Sequence, residues 1–92
     1  MSTYLFFGKY NADSIKAISS ERTKAAENVI QANGGSYHSG YALLGDVDLV
    51  LIVDLPDTER AMQTSAELTR LLGISFSTAP AVNVEDFDRL MG

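Results

Sequence analysis

The segment GYALLGDVDLVLIVDLP, residues 40–56, holds the longest unbroken apolar run of the chain, Leu49–Val53. A short run of branched apolar residues that ends near a proline, Pro56, is typical of a buried strand. Gly45-Asp46 separates this run from the apolar residues before it, and both residue types favour tight turns. The segment therefore predicts a β-hairpin. Its strands are expected over residues 36–44 and 47–54.

A strand and a helix are predicted before this hairpin. TYLFFGKY, residues 3–10, is short and rich in aromatic residues, which favours a strand. From Ser14 to Asn33 the apolar residues recur at helical spacing, which predicts one long helix. Asn11 or Asp13 can cap its start, because a short polar side chain can accept a hydrogen bond from the first helical turn.

A helix, a strand and a final short helix are predicted after the hairpin. Asp57 is placed to cap a helix that ends at Gly73, residues 74–80 predict a strand, and Asn83 can cap the last helix. The order βαββαβ plus a C-terminal helix predicts an α+β fold of the ferredoxin-like kind. In this fold a four-stranded antiparallel sheet carries two helices on one face.

Both faces of the predicted sheet are apolar. The third strand carries Leu49, Leu51 and Val53 on one face and Val50 and Ile52 on the other. Helices can cover only one of these faces, and a large exposed apolar patch is unusual on a monomer. The pattern predicts a homodimer joined through the sheet faces about a two-fold axis. Higher homo-oligomers through strand edges stay open.

Length and charge restrict the class of protein. The 92 residues are expected to form one domain, 1–92. The net charge of −5 counts against nucleic acid and anionic membrane as partners. No signal peptide or membrane-spanning run is predicted, so a cytoplasmic location is expected. The chain has no cysteine, which excludes disulfides and thiol chemistry.

The hairpin register also predicts a candidate site. Counting from the turn pairs Tyr41 with Val50 and Tyr37 with Asp54, and opposed residues share a face. The face turned away from the helices is thus expected to carry phenols and carboxylates around an apolar floor. In a dimer this face would line a cavity for a small-molecule ligand. The candidate lining residues are Tyr4, Phe6, Tyr37, Tyr41, Asp48 and Ile52.

Two roles stay open for Asp48. Its carboxylate can accept a hydrogen bond from Tyr41 and so fix the hairpin. Alternatively it can serve as a proton acceptor in the cavity, because burial among apolar groups would raise its pKa toward the range of a general base.

Arg22 and His38 stand apart from these residues. Arg22 falls in line with the buried stripe of the first helix, so it should either pair with a carboxylate or bind the carboxylate of a ligand. His38 is the single histidine, and the register places it on the opposite face from Asp48 and Asp54. Without a second imidazole or a thiolate, no metal site is predicted. No nucleotide-binding loop is present either, so no cofactor is predicted.

Several short motifs are spread over nearly the whole chain, namely Gly45-Asp46-Val47-Asp48, Asp54, LPD at 55–57, ERT at 21–23, Gly34-Gly35 and the tail AVNVEDFDRLM. Together they resemble the GYD-domain family. The resemblance implies the dimeric α/β-barrel superfamily, whose members pair their sheets around a lumen, but it implies no activity. A similar Gly-x-x-Asp hairpin occurs in the amino-acid-sensing domains of leucine-responsive regulators. The tyrosine that gives the family its middle letter is Val47 here, so no phenol acts at that position.

Three functions remain open at this stage. The leading hypothesis is a small-molecule-binding or regulatory dimer. The second is a cofactor-free oxygenase or isomerase, in which an acidic or phenolic group removes a proton from an aromatic or lactone substrate. Against it, the predicted register brings no acid to the histidine, and the chain has no tryptophan. The third is a structural assembly module without a cavity.

Overall fold

The computed structural model describes residues 1–92, and it confirms the predicted α+β, ferredoxin-like fold. The elements are β1 Ser2–Lys9, α1 Ala12–Lys16, α2 Ser20–Ala32, β2 Ser36–Ala42, β3 Leu49–Leu55, α3 Thr58–Leu72, β4 Ser75–Ala81 and α4 Val84–Met91. The four strands form one antiparallel sheet in the order β2-β3-β1-β4. No helix has the length and apolar character needed to cross a membrane.

The single long helix predicted after β1 is two helices. Asn11 caps α1 through a reciprocal pair of hydrogen bonds with Ser14, and the helix ends at Ala17. Ser19 then caps α2, because its hydroxyl accepts a hydrogen bond from the Arg22 amide at 3.1 Å. The serine side chain here replaces a backbone hydrogen bond that a continuous helix would make. The apolar residues keep their helical spacing across this break, so the spacing alone did not reveal it.

The core lies between the sheet and the two longer helices, α2 and α3. Its fully buried side chains come from both layers, and the rings of Phe6 and Phe76 lie 6.1 Å apart. Fully burying one such side chain stabilises the fold by about 1.5–3 kcal/mol. The largest fully buried side chains are Phe6, Ile30, Val53, Leu55, Thr64 and Leu68.

The opposite face of the sheet is here named the open face. Its centre is formed by Leu5, Phe7, Val50 and Ile52. Leu5 pairs with Ile52 and Phe7 pairs with Val50 across β1 and β3, so the four side chains share one face. The helices α2 and α3 cover the other face. The prediction that Ile52 lies on the face turned away from the helices is confirmed.

The hairpin register is right near the turn and wrong farther from it. Tyr41 pairs with Val50 as predicted, but a β-bulge between Tyr37 and Ser39 makes Tyr37 pair with Val53. One extra residue inverts the alternation of side chains beyond it. Tyr37 therefore lies on the helix face and His38 on the open face, which is the reverse of the prediction.

The facing predicted for Tyr4 and Phe6 is also wrong. Tyr4 pairs with Val53 and Phe6 pairs with Leu51, so both aromatic side chains lie under the helices in the core. The pairing of β1 with β3 joins distant parts of the chain, and no turn in the sequence sets its register. The sequence alone could not assign these two faces.

Candidate functional site

A cavity of about 200 Å³ lies on the helix face of the sheet, below the junction of α1 and α2. It is called the helix-face cavity below. The strands β2 and β3 form its floor, and its walls are mostly apolar. Arg22 is the one charged residue in its lining. The other lining residues include Tyr10, Ala26, Tyr37, Gly40, Ala42 and Leu51.

The break between α1 and α2 and two small residues on β2 create this cavity. Gly40 and Ala42 project little volume from the floor, and the helix break leaves that part of the sheet without a continuous cover. The phenol of Tyr37 fills the space directly above Gly40, because a Cβ atom there would collide with the Tyr37 hydroxyl. Glycine at this position therefore lets Tyr37 turn along the cavity wall.

Tyr37 enters the cavity as a hydrogen-bond donor. Burial raises the pKa of its phenol above the ordinary value of 10.0, and the nearby charges of Glu27 and Tyr41 raise it further. The phenol thus keeps its proton at neutral pH. It can donate a hydrogen bond to a ligand, but it is not suited to remove a proton.

Arg22 lines the cavity without an ion-pair partner. No carboxylate lies within 4.0 Å of its guanidinium group, and its side chain makes no hydrogen bond. The predicted intramolecular pair of Arg22 with a carboxylate is therefore absent. The other predicted role, binding the carboxylate of a ligand, stays a prediction.

Asp48 connects the ends of two strands. Its carboxylate accepts a hydrogen bond from the Tyr10 amide at 2.9 Å, and its own amide donates to the Gly8 carbonyl at 2.9 Å. Its carbonyl accepts from the Leu43 amide at 2.9 Å. The expected hydrogen bond with Tyr41 is absent. Asp48 lies just before β3 begins, so its side chain reaches back to the chain that leaves β1.

A second polar cluster lies on the open face. His38 Nε2 donates a hydrogen bond to Asp54 at 2.5 Å, and the Thr3 hydroxyl donates to the other carboxylate oxygen at 2.7 Å. These two bonds, with that of Thr3 the stronger influence, lower the pKa of Asp54 below the ordinary value of 3.8, although burial acts in the opposite direction. The sequence missed this pair because of the bulge. The bulge thus brings an acid, Asp54, next to the single histidine, His38, which is the pairing that the oxygenase or isomerase hypothesis lacked.

Asp54→Asn is expected to lower the free energy of unfolding by about 1 kcal/mol at neutral pH, because a charged acceptor is lost at a partly exposed site. A carboxyl group with a lowered folded-state pKa stabilises the protein fully above its unfolded pKa of about 3.9. That contribution is lost as the pH falls through the lower folded value. Urea titrations between pH 2 and 7 should therefore show the two proteins converging in acid.

The matched control is Asp88→Asn, since Asp88 is exposed on α4 and makes no side-chain hydrogen bond or ion pair. It should change stability little at any pH. A difference between wild type and Asp54→Asn that is independent of pH would contradict the role given to the carboxylate.

The six predicted lining residues do not form one site. Tyr37 borders the helix-face cavity, and Tyr4 and Phe6 are buried in the core. Ile52 and Tyr41 belong to the open face as predicted, since Tyr41 pairs with Val50, although Tyr41 also borders the cavity. Asp48 lies at the strand ends. The sequence did not predict the roles of Tyr10, Gly40 and Ala42. The serine pair Ser19-Ser20, a helix-capping signal inside an apolar pattern, could have indicated the break that opens the cavity.

Comparisons with known proteins agree with this architecture. Residues 4–91 match the sequence model of the GYD domain family. No curated protein sequence matches the chain. Among solved structures the chain resembles the Mycobacterium tuberculosis leucine response regulatory protein, LrpA, with a TM-score of 0.64 and 10% identity. The match covers 90% of this chain but only 51% of that protein, so the chain spans about half its length. At this identity the likeness shows the fold alone.

Proposed function

Given that the chain belongs to the GYD domain family, we propose that the protein is a homodimer that binds a small, largely apolar molecule in the helix-face cavity. The observation that carries this proposal is the cavity itself, with apolar walls and one unpaired cation, Arg22. A site for a small molecule is typically a concave, mostly apolar space with a few placed polar groups. The structural likeness to a protein named as a leucine response regulator fits a binding or regulatory function.

The size of the cavity restricts the ligand. Its volume of about 200 Å³ is below the roughly 300–1,000 Å³ typical of sites for drug-sized molecules. A ligand that fits is therefore closer in size to a single ring or a short branched chain than to a nucleotide. Leu49 and Leu51 on the floor and Ala26 on the roof would contact its apolar part.

The open face supports the dimer. Its four apolar side chains belong to strands that have no helix on this side, and a second copy of the chain offers a self-complementary apolar surface. The helix α4 offers further apolar surface for such a contact, since Val84, Phe87, Leu90 and Met91 are between 52 and 76% exposed. Such a dimer leaves the helix-face cavity free, because the cavity lies on the other side of the sheet.

Binding can be tested with two small probes that share one apolar body, phenylacetate and phenylacetamide. We expect at least one of them to shift the backbone amide resonances of Thr23, Gly40 and Leu51 in NMR titrations. Ala42→Leu adds volume to the cavity floor at an exposed strand position. It should weaken binding at least about ten-fold, which corresponds to about 1.4 kcal/mol.

The matched control is Ala79→Leu, which adds the same volume at an exposed position of β4 that pairs with Leu5 on the open face. It should leave binding unchanged. The proposal fails if neither probe binds, or if Ala79→Leu weakens binding and Ala42→Leu does not. The second result would place the ligand between the sheets of the dimer.

A further inference from the structure

We propose that the helix-face cavity selects small monocarboxylates that carry no ammonium group, and that Arg22 binds their carboxylate. This inference rests on the proposed function and specifies the chemical class of the ligand. It follows from which polar groups of the cavity lining already have partners within the protein and which do not.

Arg22 is the only one of the seven Lys and Arg residues whose side chain is not exposed. Two of the exposed cations pair with an acid on their own helix, Lys24 with Glu27 at 3.7 Å and Arg89 with Asp86. Arg22 is half-buried and has no such partner. A planar guanidinium group matches a carboxylate through two parallel hydrogen bonds, so an anionic ligand would complete its environment.

The hydroxyl groups around the cavity divide into two sets. Ser14 and Thr23 donate to the backbone carbonyls of Asn11 and Ser19, so their protons are already used. The phenols of Tyr10 and Tyr37 line the cavity and donate to no protein group. The polar side-chain groups left for a ligand are thus mainly donors, namely the Arg22 guanidinium, the two phenols and the Ser19 hydroxyl, which accepts from the Arg22 amide and donates to no protein group. Donors of this kind favour a ligand that accepts hydrogen bonds.

No carboxylate lines the cavity, and this distinguishes simple acids from amino acids. The ammonium group of an amino acid or an amine would have no counter-charge there and would lie near the positive Arg22. Burying an unpaired charge is costly, so these ligands should be rejected. The predicted class is therefore aryl or branched aliphatic acids, including 2-oxo acids, of a size that the cavity of about 200 Å³ admits.

The test compares four probes on one apolar body: phenylacetate, phenylacetamide, phenethylamine and L-phenylalanine. Wild-type protein should bind phenylacetate at least about ten-fold more tightly than each of the others, because hydrogen bonds between charged groups exceed neutral ones by that factor or more. Arg22→Gln should remove this preference. It should weaken phenylacetate binding at least about ten-fold and change phenylacetamide binding less than about two-fold. Arg22→Lys should keep part of the preference, because it keeps the charge without the planar fork.

Arg70→Gln is the matched control, since Arg70 is exposed near the end of α3 and does not line the cavity. It should bind all four probes as the wild type does. Equal binding of phenylacetate and phenylacetamide, or an unchanged preference in Arg22→Gln, would overturn the inference while the proposed function survives. If no probe binds, both fall. If Arg22→Gln does not fold, Arg22→Lys and the salt dependence of wild-type binding decide. An undiminished preference for phenylacetate over phenylacetamide in Arg22→Lys would overturn the inference. Phenylacetate binding to the wild type that does not weaken as the salt concentration rises would overturn it too, because a contact between charges is screened by salt.

Discussion

Ile52→Lys is expected to convert the protein from a dimer to a monomer at micromolar concentration. Ile52 lies at the centre of the open face, opposite Leu5 on β1, and a lysine there would place a charge between the two sheets of the proposed dimer. Burying an unpaired ammonium group costs several kcal/mol, and a two-fold interface would bury one from each chain. Sedimentation equilibrium should give a species of about 20 kDa for wild type, twice the 10.0 kDa chain, and one of 10.0 kDa for the variant.

The control for this experiment is Thr78→Lys. Thr78 is exposed and pairs with Phe6, so it lies on the helix face of β4. A lysine at this position adds the same charge as Ile52→Lys but away from the open face. It should remain a dimer. A wild-type protein that sediments as a monomer would refute the dimer, and a dimeric Ile52→Lys would refute the interface assigned to it.

Gly35→Ala is expected to lower the free energy of unfolding by about 3 kcal/mol, at the upper end of overpacking effects. Gly35 follows α2 and is tightly packed, since a Cβ atom there would collide with the backbone carbonyl of Asp54 and lie 2.6 Å from Leu55 Cδ2. The backbone at Asp54 cannot move aside to relieve this contact as the end of a flexible side chain could. The start of β2 must therefore move away from β3. Urea denaturation followed by circular dichroism measures the loss.

Ser36→Ala is the neighbouring control. Ser36 is exposed at the start of β2, so its substitution should change stability by less than about 0.5 kcal/mol. A Gly35→Ala protein as stable as wild type would show that the close approach of the chain to β3 is not needed for the fold.

Local signals in the sequence predicted the elements of the fold, except for the break that separates α1 from α2. The caps at Asn11, Asp57 and Asn83 and the left-handed end of α3 at Gly73 are where the sequence placed them. Each depends on a side chain or a backbone angle within a few residues of the helix end. The hairpin pairs next to the turn, such as Tyr41 with Val50, were right for the same reason.

The candidate site was less predictable because it depends on distant pairings and on one irregularity. The bulge at Tyr37 has no clear signal in the sequence, yet it decides which of Tyr37 and His38 turns toward the helices. The cap at Ser19 lies inside an apolar pattern that continues across the helix break. Arg22 was singled out correctly as a cation in line with the buried stripe, but only the three-dimensional arrangement shows that no carboxylate of the chain meets it.

Intermolecular NOEs from the ring protons of bound phenylacetate would locate the ligand. The proposed function predicts NOEs to the methyl groups of Ala26 and Leu51, which line the helix-face cavity from the roof and the floor. NOEs to the methyl groups of Leu5 and Ile52 instead would place the ligand on the open face and contradict binding beneath α2.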